Sequence, residues 1–188
     1  METLTSSETN DWCTPIKIIE LVEIVLDGID LDPASNLIAN SHFVHAHRYY
    51  DKSDDGLVLP WHAHSVFLNP PYNKIGNQSA AGIWAEKLLH EYQSGHVGRA
   101  ILLTKTVPGY DWWDNLFNGG WPNSLCIMRG RISFVHIDWV QDDGSVIIPL
   151  NKKGKLISNV SKAASTFWYI GDNAQLFKSV FSRIGRVI

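Results

Sequence analysis

The feature that most constrains this chain is a compact apolar run, Ser65-Val66-Phe67-Leu68, that stops at Asn69-Pro70-Pro71-Tyr72. The run reads as a strand, and it must end there because neither proline can donate to a sheet ladder. Open α/β sheets place their ligand crevice just beyond such strand ends. A tight turn would explain the prolines but has no need of the tyrosine.

The flanking pattern supports the same class. Thr14-Pro15 reads as a helix start, with Thr as cap and Pro in the first turn. The apolar positions Ile16 to Leu26, interrupted by Lys17, Glu20 and Glu23, predict a mostly buried helix with one polar stripe, ended by Gly28. Short strands are expected at 29–32 and 48–50, and a helix of about four turns around Trp84, Leu88 and Leu89, closed by Gly95. Another buried strand is expected at 100–104, and a short aromatic helix at 110–117. From Leu125 strands dominate: 131–136, 146–148 after a turn at Asp142-Asp143-Gly144, and 166–170, before a last helix over 175–183. Alternation first and strands later suit an α/β sheet with an antiparallel edge.

The 188 residues suit one domain spanning 1–188, with the polar stretch 1–10 expected to be disordered. A hydrophobic share of 45% without any apolar run near the roughly 18 residues that cross a bilayer excludes a membrane protein of helical type. The opening METLTSSETNDW lacks the basic and apolar regions of a signal peptide, which predicts a cytoplasmic protein. Cys13 and Cys126 read as reduced thiols. Histidines 42, 45, 47, 62 and 64 form two H-x-H pairs, but no cysteine or acid completes a ligand spacing, so no metal is expected. Trp112 and Trp113 read as core or rim packing.

The net charge of -3 is unevenly spread. Residues 146–188 hold seven Lys or Arg against the single acid Asp172, leaving the body acidic and the last quarter basic. That distribution is compatible with phosphate contacts, for which Lys152, Lys153 and Lys155 are candidates.

The residue types at 69–72 suit one chemistry. An aromatic amino nitrogen such as that of adenine is a poor nucleophile, because its lone pair is delocalised into the ring. The Asn69 side-chain oxygen and the Pro70 carbonyl can each accept one amino N–H, which turns the lone pair toward a methyl donor. Pro70 and Pro71 fix the backbone, and Tyr72 offers a face on which an extruded base can stack.

With these residues in hand a resemblance is clear. Asp11-Trp12-x-Thr14-Pro15, Leu31-Asp32-Pro33-Ala34-Ser35, Asp55-Gly56-Leu57 with Trp61, and Phe67 to Tyr72 together resemble the phage-type DNA adenine-N6 methyltransferase (Dam) family. The likeness covers 11–104 in motif order and continues more weakly through 129–134. It implies a Rossmann-like methyltransferase fold, S-adenosylmethionine as cofactor and DNA as partner. It further implies that Trp12, Thr14, Pro15, Asp32, Pro33, Ala34 and Ser35 surround the methionine end of the cofactor, with Asp55, or else Asp51, near its adenosine end. The glycine-rich loop usual after the first strand of methyltransferases is absent from 32–36. The same Asn-Pro-Pro-Tyr chemistry serves RNA bases and protein glutamine, and a catalytically silent nucleic-acid-binding protein is the remaining alternative. Base recognition would fall to 73–82, 105–124 or 142–162.

Overall fold

The structure is a computed structural model that describes residues 11–121 and 123–188, so the expectation for 1–10 lies outside it. In chain order the first half comprises β1 (Trp12–Cys13), α1 (Ile16–Leu26), β2 (Leu31–Asp32), α2 (Leu37–Ala39), β3 (Arg48–Tyr49), β4 (Ala63–Leu68), β5 (Lys74–Ile75) and β6 (Gln78–Ser79). The second half comprises α3 (Ala80–Gln93), β7 (Val97–Lys105), α4 (Asp111–Asn115), β8 (Ser124–Met128), β9 (Val135–His136), β10 (Ser165–Ile170), α5 (Ala174–Phe181) and β11 (Gly185–Val187). Wider helical turns follow α2 at Asn40–Val44 and α4 at Leu116–Gly120.

Seven strands form one mixed sheet in the order β11-β8-β10-β7-β4-β2-β3. β3, β2, β4 and β7 run parallel, while β10 is antiparallel to both β7 and β8, and β11 is antiparallel to β8. The expected α/β architecture with antiparallel strands toward one edge is therefore present.

The apolar runs of β4, β7 and β10 follow from burial on both faces. Phe67, Ile101, Leu103, Phe167 and Tyr169 pack with α1 and α5 residues such as Val22, Phe177 and Phe181. Their alternate neighbours Val66, Leu68, Ala100, Leu102, Trp168 and Ile170 pack on the other side with Trp84, Leu88 and Trp113. Period-two alternation persists, but both phases are apolar because helices cover both faces.

Helix α1 departs from its expectation. Ile18, Ile19, Val22, Val25 and Leu26 are buried, whereas Ile16 and Ile24 are about half exposed, so it buries a single face. Asp27, with φ 54°, takes the left-handed position at its end one residue before Gly28. Pro15 is the N-cap residue and Thr14 does not cap.

The strand expected over 131–136 forms only at Val135–His136, and 146–148 contributes only an isolated bridge from Val146 to Val140. Both lie in an excursion between β8 and β10, where Val135–His136 pairs antiparallel only with the two-residue β1. Residues 132–134 bond instead across the excursion to 159–161, as in Phe134 N–H to Asn159 O at 3.0 Å and Ser161 N–H to Ile132 O at 2.8 Å. Edge strand β11 had no counterpart in the expectation.

From β2 the chain moves outward to β3, then returns past β2 to lay down β4 on its other side. The connection reverses between β2 and β4, the switch point at which such sheets open a crevice beyond their carboxyl ends. Those two ends carry Asp32 and Asn69.

Candidate active site

Asn69 is half-buried directly beyond β4. Its Nδ2 donates to Thr14 Oγ1 at 3.2 Å, which is where the Thr14 hydroxyl is engaged instead of capping α1. The Tyr72 hydroxyl lies 3.0 Å from Asn69 Oδ1 and 3.3 Å from the Leu103 carbonyl oxygen, and its single proton can serve either acceptor. Burial raises the Tyr72 phenol well above its ordinary pKa, so it remains a donor. Above its ring stands the Lys105 ammonium, 4.6 Å from the centroid. Burial first, and then the charge of Lys162, lowers the Lys105 pKa.

Asp32, at the end of β2, is only 4% exposed. Burial pushes its carboxyl up to about 7, opposed by the Ala34 N–H, which donates to Oδ1 at 3.2 Å. Asp32, Ala34 and Ser35 face Trp12, Thr14, Asn69 and Tyr72 across one cleft, whose floor includes Phe134 and Asn36. Two of its lining residues carry a buried polar atom with no hydrogen-bond partner among the described residues, Trp12 Nε1 and Ser35 Oγ. A buried acid with no cationic partner among the described residues, beside orphaned donors, fits a polar ligand bearing both a positive charge and an acceptor. Pro15 lies outside this lining and serves α1, accepting from Ile18 N–H at 2.9 Å.

Past Pro33 and Pro71 the cleft continues into a second hollow, lined by both Asp51 and Asp55. Asp51 sits two residues beyond β3, and the Ser53 hydroxyl and N–H, at 2.6 and 2.7 Å, hold its carboxylate below the ordinary range. Asp55 is exposed, with a left-handed φ of 55°. A third hollow opens on the other side of Tyr72, where Asn73, Gln78, Tyr110 and Trp112 line it. Trp112 is thus a rim residue, and Trp113, 3% exposed, belongs to the core.

A family model described as DNA N-6-adenine-methyltransferase (Dam) matches residues 2–173. The chain belongs to the Dam family. A search among curated proteins found no match. The family's description names adenine-N6 methylation of DNA, and the matched span contains every motif that carried the resemblance.

Within this Dam chain, one of those motifs has a structural basis. A Cβ on Gly56 would fall 2.1 Å from the Pro33 carbonyl oxygen, so only glycine lets the loop after β3 lie against the segment after β2. Buried Trp61 donates its Nε1–H to the Gly56 carbonyl at 2.7 Å and fixes the same loop. Asp55-Gly56-Leu57 with Trp61 therefore shapes the wall of the second hollow. Lys105 and Phe134 have no individual role in the sequence reading, although 105–124 and 129–134 contain them. Lys105 ends a strand beside the motif-bearing one, a positional signal available before the structure, whereas Phe134 reaches the cleft only through the excursion.

Proposed function

We propose that this chain transfers a methyl group from S-adenosylmethionine to the N6 amino group of adenine in DNA, as a single domain of Rossmann-like methyltransferase fold. The observation that carries the reading is the pairing, across the sheet's switch point, of the Asn69 acceptor with the buried acid Asp32 in a chain of the Dam family.

S-adenosylmethionine supplies an electrophilic methyl on a sulfonium. Thr14, Asp32, Ala34, Ser35 and Trp12 are the residues that would hold its methionine end, where the Asp32 carboxylate would meet positive charge. Asp51 and Asp55 line the hollow suited to the adenosine end, with Asp51 better placed beyond β3. Trp84 Nε1, buried and without a partner, also lines that hollow.

For the chain's own residues the steps are these. An adenine extruded from DNA exchanges the Tyr72 hydroxyl on Asn69 Oδ1 for an amino N–H, while the Pro70 carbonyl takes the other. Held by these two acceptors, the nitrogen lone pair is drawn out of conjugation and aimed toward the side of the cleft where Thr14, Asp32, Ala34 and Ser35 would hold the methyl donor. The amino nitrogen then carries positive charge and loses one proton to solvent, since neutral Asn69 is no base. Tyr72 keeps the base in place by stacking.

Transfer of labelled methyl from S-adenosylmethionine to DNA, RNA and protein tests the reading. Label in DNA, recovered as N6-methyladenine, is the expected outcome. Label confined to RNA or to glutamine would replace the substrate, and no transfer with intact DNA binding would favour a silent binding protein.

A further inference from the structure

The excursion between β8 and β10 carries a feature that methyl transfer does not use. Leu150 and Leu156 bridge in antiparallel register. Directly opposed residues of such a pair put their side chains on the same face. Here the two leucines are 61% and 64% exposed. Beyond them the chain turns through Asn151 to Lys155, with Asn151 N–H donating to Lys155 O at 2.7 Å. The Asn151 side chain also accepts from the Lys153 and Lys155 N–H groups at 2.8 and 3.1 Å. Lys152, Lys153 and Lys155 thus stand on a tied turn, beyond an exposed apolar pair.

The surroundings indicate what this finger meets. Residues 145–171 contain four lysines and no acid, so the finger suits a polyanion. Its root is fastened to the cleft: Phe134, in the cleft lining, donates its N–H to the Asn159 carbonyl at 3.0 Å and accepts from the Asn159 side chain at 2.8 Å. On the same side, three residues past Asn159, the charge of Lys162 is felt by Lys105, which stands over the Tyr72 ring at 4.6 Å. Positive charge thus stands both on the finger and above the Tyr72 ring. Removing a base from a duplex leaves a gap, and proteins that distort DNA commonly wedge leucine or isoleucine between base steps.

We infer that the hairpin 149–157 is a duplex-DNA probe, in which Lys152, Lys153 and Lys155 grip phosphates while Leu150 and Leu156 press into the base stack beside the extruded adenine. The inference rests on the DNA reading above for its target base, but its binding arm does not require methylation.

Two variants of the full chain test it by fluorescence anisotropy on a random-sequence duplex, across a salt series. K152Q/K153Q/K155Q should weaken binding and lower the slope of log affinity against log salt by up to about three. L150S/L156S should keep the wild-type slope while losing roughly tenfold or more in duplex affinity. In methyl transfer, L150S/L156S should be slow on duplex and close to wild type on the single strand of the same sequence, where no stack needs opening. All five substituted side chains are exposed, so unchanged circular dichroism melting would accompany these effects. Wild-type duplex binding by both variants would overturn the inference. So would a wild-type chain that dimerises in sedimentation while L150S/L156S stays monomeric, because the leucines would then serve a second copy. Failure of the wild type to methylate any DNA would remove the proposed reaction, and the anisotropy series would still decide the hairpin.

Discussion

The Tyr72 hydroxyl lies 3.0 Å from Asn69 Oδ1, so the side-chain acceptor proposed to receive adenine already has a donor from within its own motif. Tyr72 thus contributes both a ring to the cleft and a proton that competes with the substrate's. Because a net hydrogen bond is worth about 0.5–1.5 kcal/mol, displacing it is a modest cost that an arriving amino N–H can offset.

Tyr72→Phe should therefore retain methyl transfer and tighten DNA containing the target adenine by roughly two- to tenfold, the value of the bond no longer broken. Tyr72→Ala should do the reverse, losing roughly 1–3 kcal/mol of stacking. Dissociation constants for the two variants, beside single-turnover rates, check both directions.

Asn69→Ala should lower the single-turnover rate by on the order of a hundredfold or more, as expected when one acceptor used in the transition state is removed. Cofactor affinity, read by calorimetry, should change little, and Asn69→Asp should be milder because a carboxylate is still an acceptor. A wild-type rate in Asn69→Ala would overturn the catalytic assignment.

Asp32 gives a pH signature. Burial pushes its carboxyl from the usual 3.8 up to about 7, so in the ligand-free protein it is protonated below that pH. A cationic ligand needs the carboxylate. S-adenosylmethionine affinity should then rise as pH increases from about 5 to about 7 and level off above, with proton release measurable by calorimetry in two buffers. Asp32→Asn should flatten the profile, and Asp32→Ala should weaken binding at all pH values. For the free protein the sign is opposite. A raised carboxyl pKa contributes stability that is full below about 3.8 and is lost as pH rises through about 7, so Asp32→Asn should raise the melting temperature more at pH 8 than at pH 5.

Gly56→Ala places a methyl against the Pro33 carbonyl, a backbone atom that cannot swing aside. Overpacking of this kind costs about 1–3 kcal/mol, or several degrees in Tm for a chain of this size. Thermal melts and cofactor titration should shift together, since the displaced loop carries Asp55 and lies beside Asp32's own segment.

The parts that sequence disclosed are those governed by short-range rules. An apolar run cut off by two prolines located β4 and its motif, and runs at 100–104 and 166–170 located β7 and β10, because burial on both faces leaves no polar interruption. What it did not disclose depends on distant partners. Thr14 looked like a helix cap until Asn69, 55 residues away, engaged its hydroxyl. The alternation within 131–148 matched a strand pattern, yet pattern alone cannot tell whether a neighbour is present to complete the ladder. The three-residue β11 is too short to show any period, and pairing with β8 defines it. The closeness of Gly56 to Pro33 depends on how two loops meet, which no local motif encodes.

The Asn69–Tyr72 motif and the basic finger hang from different joints of one sheet. β4 is fixed between parallel neighbours β2 and β7, whereas residues 129–164 leave after β8 and rejoin at β10. Lengthening, shortening or rewriting the hairpin 149–157 within that excursion leaves Asn69, and the cleft-lining Phe134, in place. Such an arrangement allows target choice to diversify among descendants while the methyl-transfer machinery is inherited intact, and it marks the span where a graft from another enzyme has the best prospect of changing the sequence modified.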